Sequence, residues 1–538
     1  MNSGNRGKIK VADITLAHLS RGLYRSNATV FKELINNAYD ADATVVRIDT
    51  NYPHFNFISC VDNGVGMTEE KFFTHFDENG IGSSVKRKGN TDCTPIHNRP
   101  IIGRLGIGMM AIGQLCHSFK IESHYQNLDG VSSAFRATVI LTDDDIEDEE
   151  DIIRKDNFSG KEIDVGEWEF EAIEFDPNKK GLRVYSSDIR GTFRREMKES
   201  LTLDGFKKLP FNIEEIAKNY FYKSKSIRDC KPYLETIWEL SSLCPLPYSD
   251  NDLSPLNFHK NSDLISDNDE VFEFLKERNK LLESYKFEVF FDGVSLKRSI
   301  KLPTEKDVKP RIYFFNFDKN IFEKRLKFTG YLFVQIPKAI KPYELKGLQV
   351  RLRNVGIGGY DPSFLRYSRR IETIRSQWVS GEVFVDEGLE TALNIDRDSF
   401  NEHEEHFKAM QRYLHDLLDE IFDEARKAAI ELNDVDHDLK NEATNQKIIE
   451  LVESGSKGKL SLVLDSLNTD RTIISDPSIS KVVLNLNTTP IGKSRKKGNE
   501  AFKLSMLAFE IAKRMALTEE EREGLFENFL KNFIKETI

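Results

Sequence analysis

Cysteine is scarce in this sequence of 538 residues, with five, at Cys60, Cys93, Cys116, Cys230 and Cys244. Their number is odd, their spacing is scattered and no Cys-x-x-Cys occurs, so neither a zinc ribbon nor a disulfide framework is expected. Long apolar runs are missing too. None approaches the ~20 residues that cross a bilayer. The opening Met1-Asn-Ser-Gly-Asn-Arg-Gly-Lys8 lacks the apolar stretch of a secretion signal. There is no excess of basic charge: 77 Lys+Arg against 88 Asp+Glu gives −11. That balance argues against a general nucleic-acid coat protein and leaves room for a local basic groove. No repeat of roughly 20–50 residues is present. Together these absences point to a cytoplasmic protein with no membrane partner.

Hydrophobic residues make up 39% and charged residues 31%, a folded composition, and the length suggests roughly two to four domains. Residues 1–200 mix helical and strand signals. Val11 to Ala43 reads as helix, with Leu16, Leu19, Leu23, Val30, Leu34, Ile35 and Ala38 near helical spacing. Strands are expected at Ala43–Thr50, Phe55–Val61, Phe119–Ser123, Ala134–Leu141, Trp168–Phe175 and Leu182–Tyr185. Strands that follow one another without helices favour an antiparallel sheet, hence an α+β fold. The acidic run Asp143–Asp151 reads as a solvated loop. Residues 201–280 look like a helical connector, and 281–400 like a second, strand-rich domain. Residues 401–538 look mostly helical, with a capping box at Ser399-Phe-Asn-Glu402. A stripe of Phe407, Met410, Leu414, Leu417 and Ile421 follows it. That stripe either packs within its own domain or forms a dimer seam.

Three strings carry chemistry. In Glu33-Leu-Ile-Asn-Asn-Ala-Tyr-Asp-Ala-Asp-Ala43, helical spacing puts Glu33, Asn37 and Asp40 on one face. A carboxylate there can deprotonate water, and a carboxamide oxygen is a hard ligand suited to Mg²⁺. Asp62-Asn-Gly-Val-Gly-Met67 follows a strand. Its glycines let backbone approach a flat ligand, its Asp can accept from an exocyclic amine, and Met67 offers a polarizable wall. Gly103-Arg-Leu-Gly-Ile-Gly108 leads into the apolar helix Met109–Leu115 and can present N–H groups to an anion. It is neither a Walker A nor a dinucleotide string. Residues 77–102 before it are polar and suit a lid. His403-Glu-Glu-His406 lacks the H-E-x-x-H order and reads as a solvated face.

The order of these strings, with Arg190-Gly-Thr-Phe193 after them, resembles the GHKL ATPase superfamily of gyrase, the ninety-kilodalton heat-shock chaperone, histidine kinases and MutL. The resemblance covers roughly residues 10–195 and implies a Bergerat-type α/β sandwich that binds ATP with Mg²⁺. It implies that Glu33 is the general base, Asn37 the metal ligand and Asp62 the acceptor for the adenine amine. Asp40, Gly66, Met67 and Thr192 would line the base pocket, and Gly103, Gly106 and Gly108 would cradle the phosphates.

Within the superfamily, Glu33–Ala41 and Gly64–Glu70 look closest to the heat-shock chaperone branch. Val385 to Phe400 is similar to that branch's middle-domain loop, which makes Arg397 a candidate γ-phosphate sensor. The chaperone's long C-terminal dimerisation region is not recognisable. The expected activity is ATP hydrolysis with lid and domain closure in an at least transient homodimer, its partner either a protein client or DNA. The alternatives are a MORC- or MutL-like DNA clamp, in a bacterial defence system, and an ATP-binding regulatory module without turnover. The basic string Lys493–Lys497 could meet phosphate.

Overall fold

The structure, a computed structural model, describes residues 5–12, 26–74, 76, 93–103, 108–141, 162–199, 212–249, 269–298, 309–336, 338–367, 375–394, 398–431, 461–465, 473–476, 481–485, 512–513, 518 and 522–527. The acidic run 143–151, most of the expected lid, Gly106, Arg397 and Lys493–Lys497 lie outside the described residues. The chain divides into two compact units. The first comprises Met1–Gln335, Ile340–Leu365 and Val379–Tyr413. The second comprises Ile336–Ala339, Arg366–Trp378 and Leu414–Ile538.

The first unit is mixed α+β, as the strand pattern predicts. Its larger sheet is built from β1 (Asn5–Ala12), β2 (Val45–Asp49), β3 (Ile58–Asp62), β4 (Cys116–Gln126), β5 (Ser132–Leu141), β6 (Glu162–Ala172), β7 (Gly181–Ile189), β8 (Glu288–Phe291) and β9 (Val294–Ser295). The strand order is β1-β6-β5-β4-β7-β3-β2-β8-β9. Every pairing is antiparallel except β2–β8. Two sequence expectations change here. Val11 and Ala12 end a strand rather than open a helix, because the alternation through Lys8-Ile-Lys-Val11 matches the edge of β6. The stretch at 287–291, read as the start of a second domain, joins the first sheet beside β2.

The helix α1 (Asn27–Asp40) is the element on which the site is hung. Ser26 caps it, its hydroxyl accepting from Thr29 N–H. No Gly or Pro interrupts it, and Val30, Phe31, Leu34, Ile35 and Ala38 are buried. The four larger of these side chains stabilise the fold by about 1.5–3 kcal/mol each. It ends where Asp42 turns left-handed, at φ +58°. A 3₁₀ helix, Gly108–Gln114, packs against it, over nearly the residues of the apolar helix expected at Met109–Leu115. The helices α2 (Glu69–Phe73), α3 (Gly191–Glu199), α4 (Pro232–Leu243) and α5 (Asp269–Ser284) follow, with α4 also against α1.

A five-stranded sheet completes the unit: β10 (Lys309–Ile321), β11 (Lys324–Ile336), β12 (Gly347–Leu352), β13 (Val355–Asp361) and β14 (Val379–Glu387), in the order β10-β11-β14-β12-β13. Within it, Arg351 and Glu382 form a fully buried ion pair at 2.5 Å. Glu382 also accepts from the hydroxyls of Tyr248 and Tyr331, so its lone pairs are used where desolvation would otherwise be costly. On the first sheet's edge Gly7 lies flat against Trp168: a Cβ there would sit 2.3 Å from Trp168 Cζ2.

The helix α6 (Glu405–Glu431) begins later than the Ser399 capping box predicts. The cap is Glu404, whose carboxylate accepts from His406 and Phe407 N–H at 2.8 and 3.0 Å. Ser399 is taken by Asn394, which donates to its hydroxyl and carbonyl. The buried stripe runs Phe407, Met410, Leu414, Leu418, Ile421 and Ala425, with Leu418 in the place expected of Leu417. His406 is buried rather than solvated. Its ring meets Glu404 at 3.1 Å and the Lys324 carbonyl at 3.4 Å, an internal link rather than a surface.

In the second unit, the C-terminal region carries a three-stranded sheet besides helix: β15 (Ser461–Asp465), β16 (Ile473–Asp476) and β17 (Lys481–Asn485), ordered β15-β17-β16. The β-branched pairs in Ile473-Ile474 and Val482-Val483 explain the strands that a helical reading of this region passes over. Among the described residues no helix is long and apolar enough to cross a membrane.

Candidate functional site

The site is built around the C-terminal half of α1. Glu33 is buried, and Asn37 and Asp40 are half-buried one and two turns on. The glycine turn is tied to this helix directly: Asp40 Oδ1 accepts from Ile102 N–H at 2.7 Å, and Oδ2 from Gly103 N–H at 2.5 Å. A Cβ at Gly103 would lie 2.7 Å from Asp40 Oδ2, so a side chain there would displace the carboxylate that holds the turn. Asp40 therefore serves as the anchor of the turn, in addition to the lining role expected for it.

The strand β3 delivers Asp62 to the same end of α1. Asp62 is buried, its Oδ1 accepts from Gly64 N–H at 2.8 Å, and Val65 N–H donates to the Ala41 carbonyl just past the helix. Burial pushes the Asp62 carboxyl up to about 6, against the backbone N–H groups of Gly64 and Leu182 that hold it down. Gly66 takes φ +78°, and a Cβ there would meet the His124 carbonyl at 2.9 Å. Met67 is clamped through its backbone: its N–H donates to Ser123 Oγ at 2.8 Å, and that hydroxyl donates back to the Met67 carbonyl at 2.9 Å. The structure thus sets Glu33, Asn37 and Asp40 along one face of the C-terminal half of α1, with Gly103 held by Asp40 and the Asp62–Met67 string held at the helix end through Val65. Gly108 opens the 3₁₀ helix packed on α1. Thr192 is exposed on the first turn of α3, and no contact joins it to the others among the described residues.

Several residues that the sequence reading missed organise this region. Asp42, buried, accepts from the Thr94 hydroxyl and from the N–H groups of Ile96 and His97. Arg99, fully buried, donates to the carbonyls of Tyr39 at 3.3 Å, Ala43 at 2.6 Å and Tyr285 at 2.5 Å. Lys32, one residue before Glu33, is 1% exposed and bonds Asp398 at 2.5 Å. Thr29 also donates to Asp398, at 3.4 Å. Asp398 follows the candidate sensor Arg397, so the far loop is fastened to the helix that carries Glu33. The sequence marks none of these, because each partner is distant in the chain.

The donor set can be tested against the group it is expected to hold. A buried carboxylate at a strand end suits an amine, and glycines keep the walls close to a flat ring. Among the described residues no group of three His, Cys, Asp or Glu could hold a metal ion by itself. A divalent ion here would be bound through the Asn37 oxygen together with the phosphates it accompanies, which is how Mg²⁺ is usually held.

The family model described as "Histidine kinase-, DNA gyrase B-, and HSP90-like ATPase" matches residues 24–158. A curated relative from Herpetosiphon aurantiacus, named "Putative type II restriction enzyme HgiDII", is 36% identical over 121 residues. That alignment covers 22% of this chain and only 18% of the relative's length. A solved structure described as "Crystal Structure of N terminal domain of a DNA repair protein" aligns over 77% of this chain and 99% of that one, at 10% identity. Its TM-score is 0.36, a likeness that carries no argument. The segment 24–158, with its helix-borne Glu33 and Asn37 and its strand-end Asp62, is placed by that match in the GHKL ATPase superfamily.

Proposed function

We propose that this chain binds ATP as its magnesium complex, hydrolyses it, and uses the cycle in a DNA-directed process. The observation that carries the ATP reading is the anchoring of the glycine turn by Asp40 on the helix whose same face carries Glu33 and Asn37, with the buried Asp62 string packed at that helix's end. In this reading Asp62 accepts from the exocyclic amine of adenine, and Gly66 and Met67 wall the base. Asn37 supplies a hard oxygen to Mg²⁺, which neutralises phosphate charge when bound. Gly103, Gly106 and Gly108 offer backbone N–H groups to the phosphates. Glu33 orients a water and takes its proton. Arg397, beside the Asp398 that Lys32 holds, reaches the terminal phosphate and reports occupancy.

Glu33→Ala is expected to keep ATP affinity and abolish hydrolysis. Turnover at the wild-type rate would refute the role of Glu33. A single-turnover assay separates a true ATPase from a regulatory module that only holds the nucleotide. Mass with and without a non-hydrolysable nucleotide tests the proposed transient homodimer.

Two finer readings divide the superfamily. The chaperone-like one is supported by the Glu33–Ala41, Gly64–Glu70 and Val385–Phe400 strings. The DNA clamp is supported by likeness to a relative whose name ties it to restriction. We favour the second. It predicts ATPase stimulation by DNA that fades steeply with salt. Stimulation by unfolded protein and indifference to DNA would restore the first.

A further inference from the structure

We propose that Arg353 is a positioning residue for the phosphate-binding turn, acting on it from the five-stranded sheet; this rests on the ATP reading of the site. Arg353 and Asn354 form the two-residue turn between β12 and β13, with φ of +52° and +69°. Such turns favour Asn or Gly, and Arg in the left-handed region is uncommon. The turn is secured from beneath. Arg298, fully buried, donates to the Asn354 carbonyl at 3.1 Å. At the end of β12, Arg351 donates to the Ser242 carbonyl at 2.8 Å.

From this fixed platform Arg353 Nη1 donates to the Ile101 carbonyl at 2.6 Å. Its Nη2 lies 3.4 Å from Glu390. The next two residues of that loop are the ones whose N–H groups Asp40 accepts, at 2.7 and 2.5 Å. Three consecutive residues are therefore gripped from opposite sides, the carbonyl of Ile101 by Arg353 and the N–H groups of Ile102 and Gly103 by Asp40. The glycine turn starts at the last of them. A guanidinium on the carbonyl fixes the plane of the 101–102 peptide and so the direction in which the chain enters Gly103. Without it that peptide can rotate, and the cost falls on ordering the turn around phosphates rather than on the chemical step.

The test uses Arg353→Ala and Arg353→Lys in the full chain. Arg353→Ala is expected to raise KM for ATP roughly tenfold while kcat moves less than threefold. Arg353→Lys, which still offers one N–H to the carbonyl, is expected to recover most of the loss. Amide exchange at Ile102 and Gly103 in nucleotide-free protein is expected to accelerate roughly tenfold in Arg353→Ala and little in Arg353→Lys. Unchanged exchange at those two amides overturns the grip, whatever the chain binds. Accelerated exchange with KM within twofold of wild type overturns the positioning role. A wild-type chain that binds no ATP removes the ATP reading, and the exchange data then decide the grip alone.

Discussion

A carboxyl that is buried beside two glycines titrates late. Asp62 ionises only near pH 6, mainly because burial disfavours its charge. Recognition of an amine needs the ionised form, so the sign is clear: nucleotide affinity should fall as the pH drops through 6. Between pH 7 and pH 5 the ionised fraction falls by about tenfold, and calorimetric titration of ATP should follow it. A flat profile would remove Asp62 from the pocket. Fold stability runs the other way. The raised value means ionisation disfavours the folded form, so this group's contribution is greatest below 3.8 and is lost as the pH rises through about 6. Asp62→Asn should abolish nucleotide binding, because with its single oxygen taken by the Gly64 N–H its amide nitrogen, a donor, would face the adenine amine. Asp62 and Glu33 could be singled out as candidates in the sequence because each stands in a string of a few residues. Arg99, Lys32 and Arg353 could not. Their work is done on carbonyls and a carboxylate far along the chain, and an isolated basic residue carries no sign of being buried.

At the scale of elements, α1 carries two chemistries on adjacent positions. Glu33 belongs to the site, and Lys32 belongs to the loop that ends at Asp398. Lys32→Met should leave Asp398 poorly solvated and without its cation, costing about 3 kcal/mol, read as a lower denaturant midpoint with an unchanged slope. Loss of less than about 0.5 kcal/mol would mean the pair is surface-like. Ser26, besides capping α1, donates to Glu239 at 2.7 Å, so the start of the helix is also tied to α4. The helix was readable from its periodicity, while its start at Asn27, capped by Ser26, was not. Its neighbour at 108–114 was read as helix from its apolar composition, which does not distinguish the 3₁₀ form found there from an α-helix. The acceptance of Val11 into β1 likewise depends on a strand that lies over 150 residues on.

For the whole molecule, the larger sheet is not closed by its first 200 residues. β2 pairs with β8, Thr50 is held by Asp292 through two bonds of 2.6 Å, and Arg99 reaches the Tyr285 carbonyl. A fragment ending at residue 200 should therefore lack the cooperative thermal transition of the intact chain. A sharp melt in that fragment would show that the later strands are accessory. Composition and strand order fixed the α+β class; the return of a strand from residue 288 to the first sheet is a long-range pairing that no local pattern announces.

The flat contact of Gly7 on Trp168 has a practical side. The indole is 3% exposed, and the edge strand β1 supplies part of its cover. Of the three tryptophans, Trp238 sits in α4, and Trp378 immediately precedes β14. Detachment of β1 would wet one fluorophore out of three, shifting emission to the red without any label. The chain thus carries its own optical gauge of whether its leading strand is seated.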